Sequence, residues 1–108
     1  MVKHQKKKEI IKCLAGENVN YVKPDIIKKR DLEIDIIFTL RVNYPDRRVL
    51  IQLKDNNNNV VYKRKKVYVI PSEMVELNAN LKKNGIDPKC KSITIEVIPR
   101  PEVLIEED

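Results

Sequence analysis

LEIDIIFTLRV, residues 32–42, carries an apolar side chain at every even position: Leu32, Ile34, Ile36, Phe38, Leu40 and Val42. The odd positions hold Glu33, Asp35, Ile37, Thr39 and Arg41. A period of two sustained over this length is the pattern of a strand with one buried face. Helical spacing would put Leu32, Ile36 and Leu40 together but would turn Ile34 and Phe38 away from them. The stretch therefore predicts a strand, and the rest of the chain must supply the strands that cover its apolar face.

Other segments alternate in the same way. In residues 48–54, Val49, Ile51 and Leu53 oppose Leu50, Gln52 and Lys54. In residues 74–82, Val75, Leu77, Ala79 and Leu81 oppose Glu76, Asn78, Asn80 and Lys82. In residues 92–98, Ile93, Ile95 and Val97 oppose Thr94 and Glu96. The run DNNNN, residues 55–59, reads as a hairpin loop, because Asn tolerates left-handed backbone better than any residue but glycine. Its return strand, residues 60–70, is apolar at both ends and basic in the middle.

Weaker segments complete the set. Residues 10–15 fit either a first edge strand or a single helical turn stopped by Gly16. Residues 19–22 fit a short strand with Val19 and Tyr21 on one side, ended by Pro24, which has no N–H to give a ladder. Ile26 and Ile27 anchor a basic bend at Lys28, Lys29 and Arg30. Residues 103–105 fit an added edge strand. The expected architecture is an all-β antiparallel sandwich of about seven strands. One-faced alternation favours antiparallel sheets with a wet outer face.

The 108 residues point to one domain. Residues 1–9 are expected to be a flexible basic leader, residues 10–101 the sandwich and residues 102–108 an acidic tail. With one Phe, four Tyr and no Trp, the core must come from Ile, Val and Leu, which favour strands. The net charge of +6 is uneven. Residues 1–30 hold nine Lys/Arg against three acids, and residues 92–108 hold one against five. Such asymmetry suits a nucleic acid, an anionic surface or an acidic partner, and equally a solvated basic surface. No apolar run is long enough to span a membrane as a helix, and no secretory signal opens the chain. A cytoplasmic protein is expected if the sequence is full-length, and an extracellular one if it was cut from a longer exported chain.

Residues 32–99, about two-thirds of the chain, resemble the immunoglobulin-like sandwich modules, akin to fibronectin type III, found as accessory domains of archaeal and bacterial surface and multidomain proteins. VLIQLKDNNNNVV, IPSEMVELNANL, KNG and SITIEVIP carry the likeness. The chain lacks the glycine common in that hairpin, and the buried Trp and paired Cys of antibody domains. The resemblance implies a module that binds, spaces or braces other proteins.

No reading of the residues points to catalysis, a metal or a cofactor. Glu33 and Asp35 fall on the outer face of the opening strand, where pairing with lysines on a neighbouring strand is expected. Cys13 and Cys90 have only His4 as a nearby base candidate, in the leader, and two cysteines are too few for a structural zinc site. They read as free thiols, or as a single bridge in an oxidising compartment. The chemically interesting feature is the basic strand. Lys63, Arg64, Lys65 and Lys66, with Arg41, Lys54, Tyr62 and Tyr68, form the candidate binding set. If Arg41, Lys54, Lys63 and Lys65 share a face, they form a cationic stripe flanked by two tyrosines, as in single-strand binders. The competing reading is an exposed edge strand whose lysines block sheet-to-sheet association. The expected function is a non-catalytic protein-interaction or structural module. The alternative is non-specific nucleic-acid binding through residues 63–66.

Overall fold

The computed structural model describes residues 9–100. The expectations for the leader up to residue 8 and for the strand at 103–105 lie outside these residues. Glu9, counted with the leader, belongs to the folded part, where it lines a cleft with Ile10, Lys28 and Arg30.

Among the described residues eight strands follow in chain order: β1 (Ile10–Ala15), β2 (Tyr21–Lys23), β3 (Ile26–Lys28), β4 (Ile36–Arg41), β5 (Asp46–Asp55), β6 (Val60–Val69), β7 (Val75–Ala79) and β8 (Ser92–Pro99). A five-stranded sheet has the order β3-β1-β8-β5-β6, and a three-stranded sheet the order β2-β4-β7. The expectation of an all-β chain with two sheets holds. The expectation of purely antiparallel pairing does not. β1 runs parallel to β8, with Cys13 opposite Ile93 and Ala15 opposite Ile95. Alternation within strands carries no information on the relative direction of strands so distant in sequence.

The sheets share one apolar cluster. Phe38, Leu40 and Leu77 from the small sheet and Ile11, Ile51, Leu53, Ile93 and Ile95 from the large one are wholly buried. Phe38 sits opposite Leu77, and Leu53 opposite Ile95. The period of two thus placed the core of β4, β5, β7 and β8 correctly. Leu81 and Ile86 are also buried, although they lie in the turn after β7.

The opening strand is shorter than its alternation suggested. Only Ile36–Arg41 pairs as a strand, and Ile34 is 59% exposed. The preceding residues Lys29–Asp31 form a 3-10 turn, continued by hydrogen bonds from Leu32 N to Lys29 O and from Ile34 N to Asp31 O. The Asn80 side chain donates to Glu33 O at 3.2 Å and to Asp35 Oδ1 at 3.0 Å, and Lys82 pairs with Glu33 at 3.0 Å. Local turn bonds and these tertiary contacts outweigh the strand pattern there. Glu33 and Asp35 therefore belong to a loop, not to the outer face of a strand.

Residues 10–15 are a strand, flanked on both sides by β3 and β8, so β1 is not an edge. Val19 is buried and Tyr21 is exposed, so they do not share a side as expected. β2 begins only at Tyr21, after Asn18 turns the chain with φ +54°. β2 does end at Lys23, before Pro24. Gly16 sits where a Cβ would come within 2.7 Å of Thr94 Cγ2 and 3.1 Å of Ile95 O, so any side chain there would force β8 to shift.

Candidate interaction surface

The β5–β6 hairpin builds the surface. Asp55 ends β5 and turns its carboxylate onto the loop. Oδ1 accepts from Asn57 N at 2.8 Å and Asn59 N at 2.9 Å, and Oδ2 accepts from Asn59 Nδ2 at 3.3 Å. Asn58 takes φ +67°, as an Asn-rich reversal requires. Burial works to raise the Asp55 pKa, but the bonds from Asn59 and Asn57 prevail and hold it below its ordinary value.

The hairpin's register sorts the candidate residues. Lys63 lies opposite Gln52 and Lys65 opposite Leu50, which puts both lysines on the outer face of the large sheet. Tyr62, Arg64 and Lys66 lie opposite Leu53, Ile51 and Val49 on the other face. The basic strand thus bears cations on both sides, and among the described residues it is the terminal strand of the large sheet, as the edge-strand reading expected. Arg64 Nη1 reaches across the sandwich to Glu76 O at 3.3 Å.

The stripe imagined from the sequence does not assemble. Arg41 is in the small sheet, opposite Tyr21, and its Nη1 donates to Pro71 O at 3.3 Å. Lys54 shares the large sheet with Lys63, but its Nζ lies 3.2 Å from Glu96 Oε2, which also accepts from Gln52 Nε2 at 2.6 Å. Its charge is answered within the sheet. Tyr62 packs against the core, so of the two tyrosines only Tyr68, 48% exposed, offers an open ring.

What replaces the stripe is a cleft of about 420 Å³ lined by Arg47, Arg48, Val67 and Tyr68. Arg47 lies opposite Tyr68 across the hairpin. Arg48 has φ +50°, unusual for a residue with a Cβ. Val67 is 71% exposed. Arg47 and Arg48 adjoin in the sequence, and the hairpin register is what sets them beside Tyr68. The hairpin midpoint, between Asn57 and Asn58, mirrors residue 47 onto 68 and would have found it. Together with β6, the cleft makes one cationic border with two exposed apolar side chains. Residues 56–72 contain no acid.

Elsewhere, Cys13 and Cys90 are both buried free thiols. Burial first, then the neighbouring Asp25 and Cys90, pushes the Cys13 thiol up to about 12. A thiol so held stays protonated at neutral pH and is a poor nucleophile. His4 lies outside the described residues. Among the described residues no three His, Cys, Asp or Glu side chains gather as a metal site, and no helix is long and apolar enough to cross a membrane. No family model, curated protein or solved structure matches the chain.

Proposed function

We propose that the protein is a non-catalytic immunoglobulin-like module that holds a partner protein along the β6 border. The observation that carries the reading is the combination at this border. A ten-residue terminal strand rich in cations runs beside a cleft where Val67 and Tyr68 stand exposed beside two arginines of β5. Exposed apolar side chains rimmed by charge are a recurrent feature of protein-binding surfaces.

The connectivity supports the immunoglobulin-like part. β2, β4 and β7 pair in the manner of strands A, B and E, and β6, β5 and β8 in the manner of C′, C and F. The departure is at the place beside β8 where a final strand G would lie. β1 stands there instead, running parallel to β8.

Nucleic-acid binding is the competing reading, and the splitting of the stripe weakens it. Arg41 and Lys54 are engaged elsewhere, and a single open tyrosine makes a poor stacking track. Two measurements test the proposal. A photo-crosslinker in place of Val67 should capture a protein in host lysate, while one in place of Ile37, exposed on the small sheet, should not. Fluorescence anisotropy with labelled single-stranded and duplex DNA, at about 50 and 200 mM salt, should show no micromolar binding. Tight binding that collapses with salt would replace this reading by the nucleic-acid one.

A further inference from the structure

We infer that the outer edge of β6 accepts an extended acidic peptide of the partner protein as a sixth strand of the large sheet, anchored by an apolar side chain in the cleft of Arg47, Arg48, Val67 and Tyr68. The inference rests on the interaction-module reading and names the chemistry of its partner.

Three observations carry it. The first is backbone geometry. β5 occupies one side of β6, and no described strand occupies the other. Alternate residues of a terminal strand present N–H and C=O groups outward, and an extended chain can extend the ladder there. The second is charge. Lys63 and Lys65 flank the edge on the outer face, Arg64 and Lys66 on the inner. An added strand alternates its side chains between the same two faces, so every central position of the guest meets a cation. A second copy of β6 would bring its own cations against these, and a neutral strand would gain nothing from them. An acidic strand alone gains from the whole row, so the charge that rejects self-association also selects the guest. The third is the anchor. The cleft lies at the end of β6 where Val67 and Tyr68 are exposed beside Arg47 and Arg48. It suits an apolar residue followed by a carboxylate, since an arginine pair favours planar anions. A nucleic acid strand would answer the cations but would leave the outward ladder groups of β6 unused.

The test is an amide NMR titration of the full chain with a capped eight-residue peptide carrying Val near each end and Asp or Glu between. The expected result is perturbation of the β6 amides and of Arg47 and Arg48, with the small sheet unchanged. The same peptide N-methylated at alternate residues keeps its charge and loses its ladder donors, and it should bind about tenfold or more weakly. The double variant Lys63→Glu, Lys66→Glu should lose the acidic peptide. An oligothymidylate of equal charge should bind more weakly than the peptide.

Equal binding of the N-methylated peptide would overturn the added strand. So would tighter binding of the oligothymidylate. Hydrogen exchange offers a further check. If the outward β6 amides of the free protein are already protected, the edge is occupied by the chain's own residues and the inference fails. A failed titration beside a successful Val67 crosslink would remove this peptide chemistry while leaving the module reading intact.

Discussion

The side-chain amide of Asn18 brackets the backbone of Tyr44. Its Oδ1 accepts from Tyr44 N at 3.0 Å, and its Nδ2 donates to Tyr44 O at 3.2 Å. The same oxygen accepts from Asn43 N at 3.0 Å. Asn18 is buried at 4% exposure. One side chain thus ties the β1–β2 crossing to the turn that launches β5, on the same hairpin whose far strand forms the cationic border.

Asn18→Ala should therefore destabilise the fold by about 2–4 kcal/mol, because it strands two backbone donors and one acceptor and leaves a Cβ residue at positive φ. Asn18→Asp keeps the accepting oxygen and should cost less than Asn18→Ala. Urea melts of both variants check this. Equal losses would show that the tie to Asn43 N and Tyr44 N is energetically idle.

Asp55 should couple the hairpin to acid. Its folded pKa lies below the ordinary value of about 3.9, so its stabilisation is present above that value and is lost as pH falls through the folded one. At neutral pH, Asp55→Ala should cost about 1–3 kcal/mol by releasing the Asn57 and Asn59 donors. The difference between wild type and variant should shrink as melts are repeated at progressively more acid pH. A gap independent of pH would contradict the role of the ionised carboxylate.

Cys13 should shape the alkaline limb. Its thiol is raised to about 12 in the fold, so the unfolded chain ionises first. The contribution is intact below about pH 8.5 and declines, by about 1.4 kcal/mol per pH unit, as pH rises toward the folded value. Cys13→Ala removes this slope, whatever it costs in packing at neutral pH. Stability measured at a series of alkaline pH values for both proteins decides it. The same burial predicts that a thiol reagent labels Cys13 only at the rate of unfolding.

Phe38 and Ile34 were alike in the sequence and differ in the fold. Phe38 is wholly buried, whereas Ile34 is 59% exposed. Phe38→Ala should cost about 3–5 kcal/mol, and Ile34→Ala should stay within about 0.5 kcal/mol. Comparable losses in denaturant melts would restore Ile34 to the core and extend β4 toward Leu32.

That contrast marks how far the sequence could be read. Alternation identified Phe38, Leu40, Val49, Ile51, Leu53, Leu77, Ile93 and Ile95 because a half-buried strand imposes a period of two on side chains whatever its neighbours are. It failed at Ile34 because a turn and the Asn80 amide hold that segment, and neither leaves a trace in apolar spacing. Asn18 and Asp55 were missed as buried residues because polar side chains in loops look solvated until their partners are known. For the surface, the basic strand and its place at an edge were legible. The separation of Arg41 from it was not, because strand pairing between sheets is decided by topology rather than by local pattern. Lys54 does share the outer face with Lys63, but its pairing with Glu96, 42 residues away in β8, was hidden for a related reason.

The parallel pairing of β1 with β8 has a consequence for how the chain is made. Ile11, Cys13 and Ala15 are synthesised early, yet their partner strand begins only at Ser92. Until residues 92–99 are available, β1 has only the three-residue strand β3 beside it, and an isolated pair of that size is marginal in water. β5 likewise lacks its neighbour on the β8 side while its apolar face is formed. Among the described residues the large sheet therefore cannot close before β8 is available, and the loop entropy of that closure must be met before its contacts contribute. The small sheet β2-β4-β7 needs nothing from β8, so the wait for residues 92–99 falls on the large sheet alone.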